Sequence, residues 1–249
     1  KSLDYLSSTR LFQGRLYILE SALDIGYKHF EIISDPNPLE LFSPFYEKYR
    51  SCGVSVLNEW PEIRIQSYRD REYEKYYSPC VTEGDFMSCG INIIEPILSE
   101  RAYKALHEII SPYVEFLPIM SNEGTYITFK VLSVFDVSVL DLNRSELKWR
   151  PLSSDAIKRG EERRFASPWN YNRYADHFFL EEKIADTPIF QLREHGDSIT
   201  FVTETIANCI KDNNLTGVNL YQVYPPEDKE EIRRKAYEKA MTRRKRKNN

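Results

Sequence analysis

The feature that most constrains the fold is the block at residues 91–137. It opens with the short β-branched run INIIEPIL, passes into SERAYKALHEII, and continues as two apolar stretches, VEFLPIM and TYITFKVLSVFDV, around the link Ser-Asn-Glu-Gly. Ser99 is placed to cap a helix whose Ala102, Leu106, Ile109 and Ile110 share one apolar face, and Pro112 ends it. The four-residue link holds Asn122 and Gly124, either of which can take positive φ, so the two flanking stretches pair as an antiparallel hairpin. A strand, a capped helix and a hairpin in succession do not follow the strict alternation of a parallel βαβ protein.

The rest of the chain agrees with an α+β fold: a mixed, mainly antiparallel sheet region, several packed helices and a charged C-terminal helix. HFEIIS (29–34) reads as a strand and is followed by a Pro-bounded turn at 35–38. A helix is expected over Leu39–Arg50, closed by Cys52-Gly53. VSVLNEW (54–60) is a second apolar stretch, and in PEIRIQSY Ile63 and Ile65 alternate with Arg64 and Gln66 as on a half-buried strand. LDLNRSELKWRP (140–151) reads as a continuation of the sheet region, whereas 153–176 lose periodicity and read as a long surface excursion. HFFLEEKI, PIFQLRE and SITFVT are short strands or strand-to-helix junctions, and TETIANCIKDNN is a helix with Ile206, Cys209 and Ile210 inward. After it, Asn213 or Asn214 can take the left-handed cap position, Leu215 can fold back onto Ile210 or a neighbour, and Gly217 frees the backbone to enter a last strand, VNLYQVY. The expected organisation is one α+β domain over 1–228, with residues 1–80 as a separable N-terminal subdomain, and a basic helical or disordered tail over 229–249.

Charge divides the chain the same way. Residues 229–249 hold ten Lys or Arg against three Glu, which leaves 24 basic and 35 acidic residues in 1–228, a net −11. An acidic body attracts a basic partner over roughly a Debye length of 8 Å and repels nucleic acid. No apolar run approaches the roughly 20 residues that span a bilayer, and the first 30 residues lack the order of a signal peptide, so a cytoplasmic protein with no membrane partner is expected. Cys52, Cys80, Cys89 and Cys209 form no C-x-x-C pair, and His29, His107, His177 and His195 stand apart from one another; neither pattern suits a metal site.

Candidate chemistry is sparse. Asp85, Asp136, Asp141 and Glu146 fall near strand ends, where acid–base pairs can sit, but capping and turn bonds explain lone Asp residues equally well. His195-Gly196-Asp197-Ser198 has the letters of a triad in a turn too tight to assume its geometry. With nine glycines and no Walker or G-x-G-x-x-G pattern, no phosphate-cradling loop is expected. No catalytic residue and no cofactor is assigned. The stretch 68–79 interleaves Tyr73, Tyr76 and Tyr77 with cations that Asp70, Glu72 and Glu74 neutralise, which suits a solvated or protein-contact surface better than nucleic acid. Trp169 and Tyr171 in the excursion, with Asp85 and Asp141, complete the candidate partner-binding residues. Arg243, Arg244, Lys245, Arg246 and Lys247 are the candidates for the alternative, a nucleic-acid-associated defence or regulatory factor.

The order of features across about residues 57–224 resembles a group of related bacterial families described as immunity proteins of polymorphic toxin systems, one of them named for a paired C-x-x-C-G motif. The matching pieces are Trp60 to Ile65, Asp85-Phe86, the apolar strand leading to SERAYKAL, EFLPIM, the run ending FDVSVLDLNRSEL, PIFQLRE, and SITFVTETIANCIKDNNLTGVNLYQVY. The resemblance implies a non-enzymatic cytoplasmic protein that binds and neutralises a cognate toxin, usually encoded by a neighbouring gene. This chain has no C-x-x-C-G, so no metal site is implied with it.

Overall fold

The computed structural model describes residues 11–21, 27, 30–40, 43–67, 83–89, 93–145, 178–193 and 199–225. The 153–176 excursion, the charged C-terminal helix and the basic tail lie outside them. Eleven strands are described: β1 Leu16–Ser21, β2 Phe30–Ile32, β3 Ile65–Ser67, β4 Phe86–Cys89, β5 Ile93–Leu98, β6 Val114–Ile119, β7 Tyr126–Val131, β8 Val134–Phe135, β9 Ile189–Leu192, β10 Thr200–Thr203 and β11 Val218–Tyr224. The helices are α1 Pro44–Arg50, α2 Glu100–Ile110, α3 Glu181–Ile184 and α4 Glu204–Asp212, with 3-10 turns at Leu57–Glu59 and Val137–Val139.

The strands form two main sheets. One has the order β11-β1-β10-β9-β8, antiparallel except for the parallel β8–β9 pair; the other is an antiparallel sheet in the order β4-β5-β7-β6. A two-stranded ribbon, β2 with β3, is joined to the end of β6 by a parallel bridge between Arg64 and Met120. The α+β character expected from the sequence is therefore present, with antiparallel pairing dominant.

The central strands are buried on both faces, and strand alternation sorts their side chains among three cores. In β7, Phe129 and Val131 join the first core while Tyr126 joins the second; in β10, Val202 joins the first and Phe201 the third. Helices α2 and α4 pack together over the first core, burying Ala102, Leu106 and Ile110 from one and Ile206 and Ile210 from the other. Ser99 caps α2 as expected, accepting from the Ala102 N–H at 3.1 Å.

Four expectations are corrected. The run 125–137 is not one strand: Leu132 and Ser133 both donate to the Tyr113 carbonyl, the ladder breaks there, and the chain crosses to the other sheet, where β8 pairs with β9. Residues 140–145 do not continue the sheet, because Leu140 makes only an isolated bridge to Phe179 and Asp141 opens a turn. Residues 54–60 form a 3-10 turn rather than an apolar strand, with Val56 buried but Val54 and Leu57 exposed. The helix expected over 39–50 is Pro44–Arg50, because Ser43 caps it, its hydroxyl accepting from the Tyr46 N–H at 3.1 Å.

Candidate functional site

Asp85, at the start of β4, lies where three backbone segments meet. Its side chain is buried beneath Arg101 of α2, whose Nε donates to Oδ1 at 2.9 Å and whose Nη2 meets Oδ2. The Ser99 hydroxyl donates to Oδ1 at 2.8 Å, and the Thr216 N–H donates to Oδ2 at 2.9 Å. The backbone closes the same junction, since the N–H groups of Asp85 and Phe86 both donate to the Thr216 carbonyl at 3.0 Å. Burial alone would raise the Asp85 carboxyl, but the bonds from Arg101, Thr216 and Ser99 outweigh it and hold the group below the usual carboxylate range.

The segment that brings Thr216 there ends α4. Asn214 takes φ 49°, Leu215 N–H reaches the Ile210 carbonyl at 2.9 Å, and Asn214 N–H reaches the Lys211 carbonyl at 3.0 Å, the paired bonds of a Schellman cap. Of the two candidates it is thus Asn214, not Asn213, that turns the chain. Arg101 adds to this cap, its guanidinium donating to the carbonyls of Asn213 at 3.4 Å and Asn214 at 3.2 Å. Gly217, at φ 79°, then passes over Phe86 so closely that a Cβ would collide with the Phe86 carbonyl.

Beside this junction lies an open concavity of about 460 Å³, walled by Glu83, Asp85, Arg101 and Tyr126. Tyr126 donates to Glu83 at 3.0 Å, and burial together with that carboxylate pushes its phenol well above the ordinary value. A second concavity of about 470 Å³ lies between Asp136 and Lys183, with Arg193 on its wall.

The described carboxylates singled out in the sequence each accept structural hydrogen bonds. Asp85 is spent in the junction, Asp136 accepts from the Ser138 N–H at 2.8 Å as the cap of the second 3-10 turn, and Asp141 accepts from the Asn143 N–H at 3.0 Å. Bonds from Ser138 lower the Asp136 carboxyl, with Lys183 and Arg193 adding to the effect against a smaller opposing contribution from burial. Asp85 and Asp141 do not share a site: the first opens the four-stranded sheet, and the second lies beside Phe178 on the third core. Tyr73, Tyr76, Tyr77, Glu146, Trp169, Tyr171 and Arg243 to Lys247 lie outside the described residues. Among the described residues, no three of His, Cys, Asp or Glu are grouped to hold a metal ion, and no helix is long and apolar enough to cross a membrane.

Sequence reasoning did not assign Ser99, Arg101 and Thr216 to Asp85, which lies 14, 16 and 131 positions away from them. It also did not mark the exposed face carrying Ile33, Arg64 and Met120. The alternation of Phe116, Pro118 and Met120 against the buried Leu117 and Ile119 is the signal that was present in the sequence for that face. No family model matches the chain, and no curated protein matches it.

Proposed function

We propose that this chain is a non-enzymatic binding protein that neutralises a bacterial toxin by protein–protein contact, acting in the cytoplasm as an immunity protein. The observation that carries the reading is where the resembling pieces meet. Asp85-Phe86, SERAYKAL and Leu-Thr-Gly are far apart in sequence, yet all three close one junction through Asp85, Ser99, Arg101 and Thr216. They therefore act as the frame of a scaffold, and Asp85 is engaged in holding that frame. The net −11 over residues 1–228 favours a basic partner such as a nuclease toxin, whose active site would be occluded on binding.

The test is calorimetric titration of the full chain with the protein encoded by the neighbouring gene, alongside co-expression in cells that the toxin would kill. A Kd below about 1 µM that weakens with salt, together with survival, supports the reading. Failure to bind or to protect overturns it. The alternative, a nucleic-acid-associated factor, rests on Arg243 to Lys247; loss of a gel shift on deleting residues 242–249, with protection unchanged or absent, would favour it.

A further inference from the structure

Resting on the toxin-binding reading, we propose that the partner docks on the open end of the four-stranded sheet, on a face centred on Ile33, Arg64 and Met120. The strand register places these three side by side. Ile32 pairs with Ile65, which puts Ile33 beside Arg64, and the parallel bridge puts Arg64 beside Met120. Backbone bonds fix the arrangement: Ile33 N–H to the Arg64 carbonyl at 2.8 Å, Ile65 N–H to the Met120 carbonyl at 2.9 Å, and Met120 N–H to the Ile63 carbonyl at 2.8 Å. Ile63 and Ile65 point into the second core, so the intervening Arg64 points the other way, out of the sheet.

On that outward face the helix layer stops short. Tyr103 and His107 of α2 cover Phe116, with ring centroids 4.9 and 5.4 Å away, but two and four residues further along the strand Pro118 and Met120 are exposed. Met120 keeps 52% and Ile33 44% of its surface open, on a backbone held rigid by three paired strands. A preordered apolar surface of this kind loses little conformational entropy when a partner covers it.

Charge selects the occupant. Glu31 and Glu62 lie on the same face as Arg64, and Glu123 sits at the strand end, where it accepts from the Ser67 N–H at 2.8 Å. Arg64 is ion-paired to Glu62, so among the described residues Glu31 and Glu123 leave the rim with a net negative charge. A second copy of the chain would set these carboxylates against their own kind, and nucleic acid or an anionic lipid surface would be repelled. A basic protein that offers an apolar side chain between its cations fits both the centre and the rim.

The test titrates the purified toxin protein encoded by the neighbouring gene into the full chain and into the Ile33→Arg, Met120→Arg double variant, with Leu142→Arg as control. Leu142 is 55% exposed but lies on the turn opened by Asp141, away from this sheet. The double variant should bind at least about 30-fold more weakly, as expected for loss of a central hot spot. The control should stay within about threefold, as expected for a site outside the contact. Met120→Ala should weaken binding in the same direction, which covers the case of a double variant that does not fold. Unchanged binding by the double variant and by Met120→Ala, with wild type binding tightly, overturns the docking face and leaves the toxin-binding reading intact. No binding by wild type overturns both.

Discussion

Arg101 closes over Asp85 from the first turn of α2, its Nε donating to Oδ1 at 2.9 Å, so that an exposed cation shields a carboxylate that is 5% exposed. The carboxylate also accepts from Ser99 and Thr216, and its removal would leave donors on three residues without their common acceptor. Asp85→Ala is therefore expected to cost about 2–4 kcal/mol in urea unfolding at pH 7, the range for breaking a buried, charge-assisted network. A loss under about 0.5 kcal/mol, typical of a surface site, would refute the role assigned to the junction.

The same bonds give a pH signature. Asp85 has a folded pKa below its unfolded value, so its contribution is fully present above the unfolded value of about 3.9 and is lost as pH falls through the folded one. The difference in unfolding free energy between wild type and Asp85→Asn should be constant from pH 6 to 8 on this basis and shrink below about pH 4. Taking the difference cancels the other carboxylates, Asp136 included. A difference that widens with acid would reverse the sign and reject the argument.

Gly217 cannot accept a side chain, for two independent reasons: its φ of 79°, and the Phe86 carbonyl that a Cβ would strike. Gly217→Ala should cost about 2–3 kcal/mol or more, because strain at positive φ adds to displacement of β4. Gly124→Ala is the comparison. Its nearest neighbour is the end of the Tyr126 ring at 3.3 Å, and its φ lies outside the left-handed region, so a change within about 1 kcal/mol is expected from thermal unfolding.

Local elements were legible in the sequence where local physics decides them. The Ser99 cap, the apolar stripe of α2, the Ile63/Ile65 alternation and the cap after α4 each depend on residues within a few positions of one another. What could not be read depends on distant pairing. β1 was not assigned as a strand, although Leu16–Ser21 lies inside the five-stranded sheet between β10 and β11; its run LYILES does not alternate cleanly, because Tyr17 and Leu19 face the first core while Leu16 and Ile18 face the third. The break at Leu132 likewise needs the Tyr113 carbonyl, which no pattern within 125–137 announces. Asp85 was singled out in sequence as a binding residue; its place under Arg101 required knowing that the ends of α2 and α4 meet.

Cys89 gives a prediction that depends chiefly on burial. It is 2% exposed within β4, and desolvation, with a smaller contribution from the Glu31 carboxylate, pushes its thiol up to about 12. The thiolate is the reactive form, so the folded protein should present no nucleophile at this position at pH 8. Cys52 and Cys209 are partly exposed, and the Cys209 Sγ lies 3.2 Å from the Ala105 carbonyl. Labelling with a thiol reagent, read by peptide mass spectrometry, should modify Cys52 first and Cys89 last among the three described cysteines. Modification of Cys89 should then follow the unfolding rate rather than reagent concentration, and it should become immediate in denaturing urea. Rapid labelling of Cys89 in the native protein, first order in reagent, would show that the β4 edge opens to solvent and that the second core is not closed over it.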